Sequence, residues 1–413
     1  LKVFLKGSLA IFLFPKFAGE IMTSHIMPTY ARLPVTFTRG QGAWLWDDQG
    51  KRYLDAVSGI AVCNLGHAHP AVHKAIAKQS KKLIHTSNLY QVAAQEKLAD
   101  VLIAKSGMDN VFFSNSGAEA NEAAIKLARC YGHQRGIIKP EIIVMEKSFH
   151  GRTLATLSAT GNPKVQKGFE PLVSGFIRIP YNDIPAIKKV VANHKNCVAI
   201  LVEPIQGEGG VNIPADDYLN KVREICDQHH LLMMLDEIQT GIGRTGEFLA
   251  FQHNGILPDV CTLAKALGNG VPIGACLARG KAATLFSAGM HGSTFGGNPL
   301  VCSAALAVLK TLEEHDLIAQ AQVKGQKIVQ AFRKKLQDNP QVVDIRNKGL
   351  MIGIELSEPC GALVAAAQQQ GLLINVTNEK VIRLLPPLVI KNKQINFLVE
   401  TLSDLIQEQT QTM

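Results

Sequence analysis

Two residues near the middle of the chain, Asp236 and Lys265, are of types that can share chemistry. A carboxylate is an anion at neutrality, and a lysine taken out of water becomes a nucleophilic amine. They stand 265 − 236 = 29 residues apart, each just past a short apolar run: LLMML (231–235) precedes Asp236-Glu237, and VCTLA (260–264) precedes Lys265 and a Gly-Asn-Gly turn. Short, unalternating apolar runs read as strands buried on both faces of a parallel sheet, and ligands of open α/β sheets gather at the strands' carboxyl ends. The spacing predicts that both side chains face one pocket. Alone, the pair decides nothing: Asp-Glu is a common strand ending, and a lysine after a strand is usually a solvated edge residue.

One cofactor would use such a pair. Pyridoxal phosphate takes a lysine as its Schiff-base partner, a carboxylate to keep its ring nitrogen protonated, and a cradle for its phosphate. The cradle is predicted at residues 111–122, where the strand Val111-Phe112-Phe113 runs into SNSGAEANE and an alanine-rich helix. Ser116 and Glu119 have capping-box spacing, Gly117 admits close backbone approach, and a helix N-terminus offers free N–H groups to an anion. Two more strand ends carry functional side chains. Residues 142–145 lead into Phe149, Gly151 and Arg152, a flat ring and a carboxylate fork; residues 198–202 lead into EPIQGEGG with Glu203 and Glu208. The recurring strand, polar loop and helix predict an α/β fold with a large doubly wound, mostly parallel sheet.

The flanks read differently. Residues 35–55 predict a β-hairpin turning at Asp47-Asp48-Gln49-Gly50, and Pro70 opens a helix reaching about residue 83. His67, His69 and His73 invite a metal reading, but structural roles are favoured and no metal is expected. After the polar HGSTFGGNP loop (291–299), one long amphipathic helix, short strands and a last helix with Ile395, Leu398, Leu402 and Leu405 in register predict a small α+β unit. The composition shifts near residue 305. Residues 1–27, with Lys2 and Lys6 before a short apolar run, faintly imitate a signal peptide and are expected to be a non-native or disordered extension.

Composition narrows the classes. A chain of 413 residues, 46% hydrophobic and 19% charged, is that of an ordinary globular protein. Its net charge of +9 is scattered and accompanies no nucleic-acid signature, so neither nucleic acid nor membrane is an expected partner. Eight cysteines, with no C-x-x-C pair, predict buried free thiols and a cytoplasmic location.

With these residues in view, the chain resembles the class III pyridoxal-phosphate-dependent aminotransferases of fold type I, and among them the acetylornithine aminotransferases. The resemblance runs from about residue 35 to the last helix. It is carried by LWDDQGKRYLDAVSGIAVCNLGHAHP, SNSGAEANE, SFHGRT, EPIQGEGG, LDEIQTGIGRTG, LAKALGNG, HGSTFGGNP and IRLLPP, in that order. It implies a homodimer with active sites at the subunit interface. It also implies a small domain from residues 28–80 and 305–413 around a cofactor-binding domain, 81–304. Lys265 matches the Schiff-base lysine and proton shuttle, Asp236 the partner of the ring nitrogen, and Gln239 the neighbour of the ring oxygen, with Glu237 and Ile238 beside them. Phe149 would stack on the ring, and Ser116, Gly117 and Ala118 would hold the phosphate. Thr294 would reach the other subunit's phosphate, with Ser293 near the substrate. Arg152 would take the substrate carboxylate and Arg383 the α-carboxylate of glutamate or 2-oxoglutarate. Glu208 would cover Arg383 and swing away for the keto acid. The expected reaction moves the distal amino group of N2-acetylornithine to 2-oxoglutarate, giving N-acetylglutamate 5-semialdehyde and glutamate. Ornithine, succinylornithine, 4-aminobutyrate and succinyldiaminopimelate remain alternative donors. A protein of this fold that only binds ligand would be expected to lack Lys265 or Asp236, and both are present.

Overall fold

The computed structural model describes residues 25–412, so the expectation for the N-terminal extension lies outside the described residues up to residue 24. The predicted hairpin is there, within a three-stranded antiparallel meander: β1 (Phe37–Gln41), β2 (Trp44–Asp47) and β3 (Arg52–Asp55). Its turn is held by Asp47, whose Oδ1 accepts the N–H groups of Gln49 (3.0 Å) and Lys51 (2.8 Å), while Gly50 takes φ +82°. A side-chain acceptor for the turn's own donors and a glycine in the left-handed region make the reversal possible.

Seven strands build the central sheet: β4 (Asn110–Ser114), β5 (Glu141–Met145), β6 (Phe176–Ile179), β7 (Cys197–Val202), β8 (Leu232–Asp236), β9 (Val260–Leu263) and β10 (Gly274–Ala278). Their order is β4-β10-β9-β8-β7-β5-β6. The run from β9 to β6 is parallel, whereas β10 is antiparallel to both β9 and β4. Alternate residues leave opposite faces of a strand. Ile143, Ile200, Met233 and Leu235 therefore enter one apolar core, and Ile142, Val144, Leu201 and Met234 a second, closed by the helix Gly117–Gln134. Burial on both faces is why these strands read as unbroken apolar runs.

The long amphipathic helix predicted after the polar loop, with Leu317, Ala321, Ile328, Phe332 and Leu336 near one face, is Leu317–Leu336, and a separate helix, Pro299–Glu314, precedes it. Asp316 between them adopts φ +48°, a left-handed conformation that a right-handed helix cannot carry through. Residue 305 lies inside the helix Pro299–Glu314, which packs on the helices Pro70–Ser80 and Ala93–Ser106. The C-terminal strands are β11 (Val342–Lys348), β12 (Met351–Leu356), β13 (Leu372–Leu373), β14 (Asn375–Thr377) and β15 (Val381–Leu384). Four form a sheet in the order β11-β12-β15-β14; β13 instead joins β3 in parallel, Leu372 opposite Leu54, so both chain ends share a sheet. Among the described residues no helix is long and apolar enough to cross a membrane, and no group of three or more potential ligands could hold a metal.

Candidate active site

A cavity of about 390 Å³ opens where β4, β5, β7, β8 and β9 end. It brings together Ser116, Gly117, Ala118, Phe149, Arg152, Glu208, Asp236, Ile238, Gln239 and Lys265, side chains separated by up to 149 positions (265 − 116) in sequence. Arg383 reaches it from β15 through Glu208 and Gln239. Three of the expected residues sit elsewhere. The carboxylate of Glu237 is buried away from the cavity, accepting from Thr240 Oγ1 (2.5 Å) and the Phe251 N–H (2.9 Å); successive residues at a strand end point in opposite directions. Ser293 and Thr294 line a separate surface depression beside Asn88 and Phe112, tied to the cavity wall by the bond from Asn115 Nδ2 to Ser293 Oγ (3.2 Å).

Asp236 is fixed on three sides. Its Oδ2 accepts from Asn121 Nδ2 (2.7 Å) and faces His150 Nδ1 (2.8 Å), so that ring nitrogen must carry a hydrogen; Oδ1 accepts the Ile238 N–H (3.1 Å). Asn121 is oriented in turn, donating also to the His150 carbonyl (2.8 Å) and accepting from Thr262 Oγ1 (2.8 Å). The motifs hold Asn121 and His150 but give no sign that the fold turns both toward Asp236. Glu203, the first carboxylate of EPIQGEGG, also lines the cavity: it takes the N–H groups of Phe149 (2.9 Å) and Gly207 (3.2 Å). Burial pushes it up to about 7 against His150 and those N–H groups, with the Asp236 charge reinforcing the rise.

The predicted anion cradle falls at the start of the helix Gly117–Gln134. Ser116 Oγ accepts the Glu119 N–H (3.2 Å) and the Ser116 carbonyl accepts the Ala120 N–H (3.1 Å), which leaves the first-turn N–H groups of Gly117 and Ala118 directed outward. A Cβ at Gly117 would stand 2.7 Å from Ile238 Cδ1, so the approach requires glycine. Lys265 has φ +44°, a conformation uncommon outside glycine and frequent where function holds the backbone. Burial holds its amine below the ordinary lysine range; Glu208 opposes that shift and Arg383 adds to it.

Arg383 is buried, yet its charge is answered at the cavity edge. Nη1 donates to Glu208 Oε1 (2.7 Å) and Gln239 Oε1 (3.3 Å); Nε and Nη2 donate to Asn375 Oδ1 (3.1 and 2.7 Å). Burial alone would raise the Glu208 carboxyl, but the guanidinium, helped by Lys265 and Gln239, more than offsets it and holds it below its usual value. A Cβ at Gly207 would lie 2.1 Å from Gln239 Oε1, so that glycine admits the amide.

The aminotransferase class-III family model matches residues 26–406. The chain is a class III aminotransferase. It is 58% identical over 383 residues to the acetylornithine aminotransferase of Nitrosomonas europaea, covering 93% of this chain and 98% of that one. Among solved structures it is similar to the acetylornithine aminotransferase of Elizabethkingia anophelis, with a TM-score of 0.83 and 36% identity over 93% of this chain and 96% of that one. It is also similar to an ornithine aminotransferase of Toxoplasma gondii with pyridoxal phosphate at its active site, with a TM-score of 0.90 and 32% identity over 94% and 93% of the two chains. This aminotransferase therefore carries its family's α/β fold with a large mixed sheet and smaller sheets beside it.

Proposed function

We propose that this aminotransferase moves the distal amino group of N2-acetylornithine to 2-oxoglutarate, in arginine biosynthesis, using pyridoxal phosphate. The carrying observation is the Arg383–Glu208 pair at the edge of the cavity that holds Lys265 and Asp236. The residues fit the cofactor. Gly117 and Ala118 offer N–H groups to a phosphate, Phe149 gives a flat wall, and Asp236 presents Oδ1 while Asn121 and His150 occupy Oδ2. When bound, the cofactor supplies the electron sink for the carbon that carries the migrating amine.

The side chains do the rest. Lys265, its amine made less basic by burial, would take the proton from that substrate carbon and hold it at Nζ. Arg152 orients the carboxylate at the far end of the donor. Acetylornithine places CH₂ groups beside its reacting carbon, where an uncovered Arg383 would face apolar surface, so Glu208 stays on the arginine. 2-Oxoglutarate brings a carboxylate to the same place and displaces Glu208, which is 35% exposed and can turn to water.

A homodimer belongs to this reading. Leu83, Ile84, Leu89, Tyr90, Met290 and Phe295 are exposed around the segments that carry Asn88, Ser293 and Thr294, and Asn88 Nδ2 ties them by donating to the Ser293 and Gly296 carbonyls (3.0 Å each). A second copy of the chain would cover this apolar surface and receive Thr294 at its own phosphate cradle. Residues 28–80 and 305–413 would form the small domain, residues 81–304 the cofactor-binding one, and the enzyme would work in the cytoplasm.

The test is a donor panel with 2-oxoglutarate: acetylornithine, ornithine, succinylornithine, 4-aminobutyrate and succinyldiaminopimelate, compared by kcat/KM. Acetylornithine should lead; a tenfold or greater lead by another donor reassigns the substrate. Lys265→Ala should lower turnover by about 10³-fold or more, because one amine serves both covalent attachment and proton transfer. Turnover near that of the unaltered enzyme would remove Lys265 from the chemistry.

A further inference from the structure

We propose that Asn375 is a positioning residue that dedicates one face of Arg383 to exchange between Glu208 and the keto acid, and so sets the affinity for 2-oxoglutarate independently of the amino donor. The inference rests on the Arg383–Glu208 reading above. Asn375 on β14 stands directly opposite Arg383 on β15 in antiparallel register, so both side chains leave the same face of the sheet as neighbours. A guanidinium has donors only, so the amide atom that meets it must be the oxygen. Oδ1 accepts from both Nε (3.1 Å) and Nη2 (2.7 Å), along one side of the fork.

That contact matters because a guanidinium has two edges that match a carboxylate: the side, Nε with Nη2, and the end, Nη1 with Nη2. Asn375 occupies the side. The end is left for Glu208, which meets Nη1 at 2.7 Å, with Gln239 Oε1 a longer second acceptor of Nη1 at 3.3 Å. The two acceptors differ in what can displace them. Glu208 extends from a loop and is partly exposed, whereas Asn375 is built into a strand by its ladder to β15. An incoming carboxylate therefore competes with Glu208 and not with Asn375.

The neutrality of Asn375 matters as much as its position. An amide orients Arg383 without cancelling its charge, and that charge is what draws the keto acid once Glu208 turns away. A carboxylate of the same shape would pair with the guanidinium permanently, leaving 2-oxoglutarate little charge to gain. Donor binding would hardly notice, because in that half-reaction Arg383 is already neutralised by Glu208.

Asn375→Asp tests this with almost no change of shape. In the pyridoxal-phosphate-loaded enzyme the KM for 2-oxoglutarate should rise by about tenfold or more, while single-turnover conversion by acetylornithine stays within about threefold. Equilibrium binding of glutarate, a dicarboxylate that cannot react, should weaken in parallel. Equal losses for both substrates would make Asn375 merely structural, and no loss for either would show that the side edge is not reserved; both results overturn the proposal. Should Asn375→Asp not fold, Asn375→Ala is read by the same comparison, a loss confined to 2-oxoglutarate and glutarate supporting the proposal and any other pattern overturning it. Glu208→Ala separates this proposal from its premise. It should slow acetylornithine and spare glutamate, and if it slows both alike the exchange itself is wrong, whatever Asn375 does.

Discussion

Two buried arginines, Arg244 and Arg383, face opposite fates in this molecule. Arg244 is wholly buried and meets only neutral acceptors: Nη1 donates to the carbonyls of Leu350 (3.0 Å) and Pro386 (2.6 Å), and Nη2 to Asn64 Oδ1. Those acceptors come from three distant parts of the chain, and Asn64 is itself fixed by donating to the Ile242 carbonyl (3.0 Å). Burial lowers the pKa of Arg244, with Asp55 offsetting part of the shift. Arg383 is as deeply buried but has one partner that is charged, partly exposed and beside a cavity. A buried cation whose acceptors are all backbone or amide is a rivet, since no ligand can take their place. One with a single charged, partly exposed partner would, under the proposed exchange, be a binding site with its occupant already seated.

The comparison breaks most readily at Arg244. Arg244→Met strands two carbonyls and an amide inside the protein, and should cost about 3 kcal/mol or more, read as a lower denaturant midpoint at unchanged m. A loss within about 0.5 kcal/mol would mean that the three segments dock without it. Arg383→Met should do the reverse. Its partner Glu208 can hydrate, so stability should fall by only about 1 kcal/mol, while kcat/KM for 2-oxoglutarate drops by about 10²-fold and acetylornithine conversion is largely kept. If stability and both half-reactions collapsed together, Arg383 would belong with Arg244.

The smallest expected effect tests the same distinction on a carboxylate. Glu237 is buried with fixed partners only, and burial, opposed by Thr240 and the N–H groups of Ala250 and Phe251, pushes it from 4.5 up to about 7. Below pH 4.5 it is protonated folded and unfolded, so its ionisation costs nothing. Between 4.5 and 7 the unfolded chain ionises first and stability drains away; above 7 the penalty is complete and constant. Glu237→Gln removes it while keeping an acceptor for Phe251, and should gain on the parent by roughly 1–3 kcal/mol across that window. A difference that does not vary between pH 4.5 and 7 would show that Glu237 ionises normally.

Much of this was legible in the sequence, for local reasons. Strands buried on both faces betray themselves as apolar runs, Ser116 and Glu119 announce a helix start, and Asp47 to Gly50 a turn. β6 and β10 escaped because FIRI is a short edge strand and GACLA is made of small residues behind Pro272, so neither carries a strong period. Asp316 looks no different from any helical aspartate until its φ is known. Glu237 was misplaced because adjacency in sequence says nothing about which side of a strand end is the cavity. Asn121, His150 and Asn375 were missed for a common reason. Each acts through a partner that only tertiary pairing supplies, and a neutral amide one strand beyond Arg383 leaves no motif.

The docking of the Glu208 loop has a consequence for motion. Thr377 donates its hydroxyl to the Glu208 carbonyl, and Arg346 donates to the carbonyls of Gly210 (2.6 Å) and Val211 (2.9 Å). Gly353, across from Arg383 on β12, leaves room for Val211, whose Cβ would lie 3.0 Å from any Cβ placed there. The backbone under Glu208 is thus fastened to the very sheet that carries Arg383, so a rigid rotation of that sheet would carry both partners together and leave their contact intact. Under the proposed exchange, opening the pair would take torsion about the bonds of one glutamate side chain rather than the slower motion of a domain hinge. On that reading, changing from donor to acceptor would require no domain motion of its own.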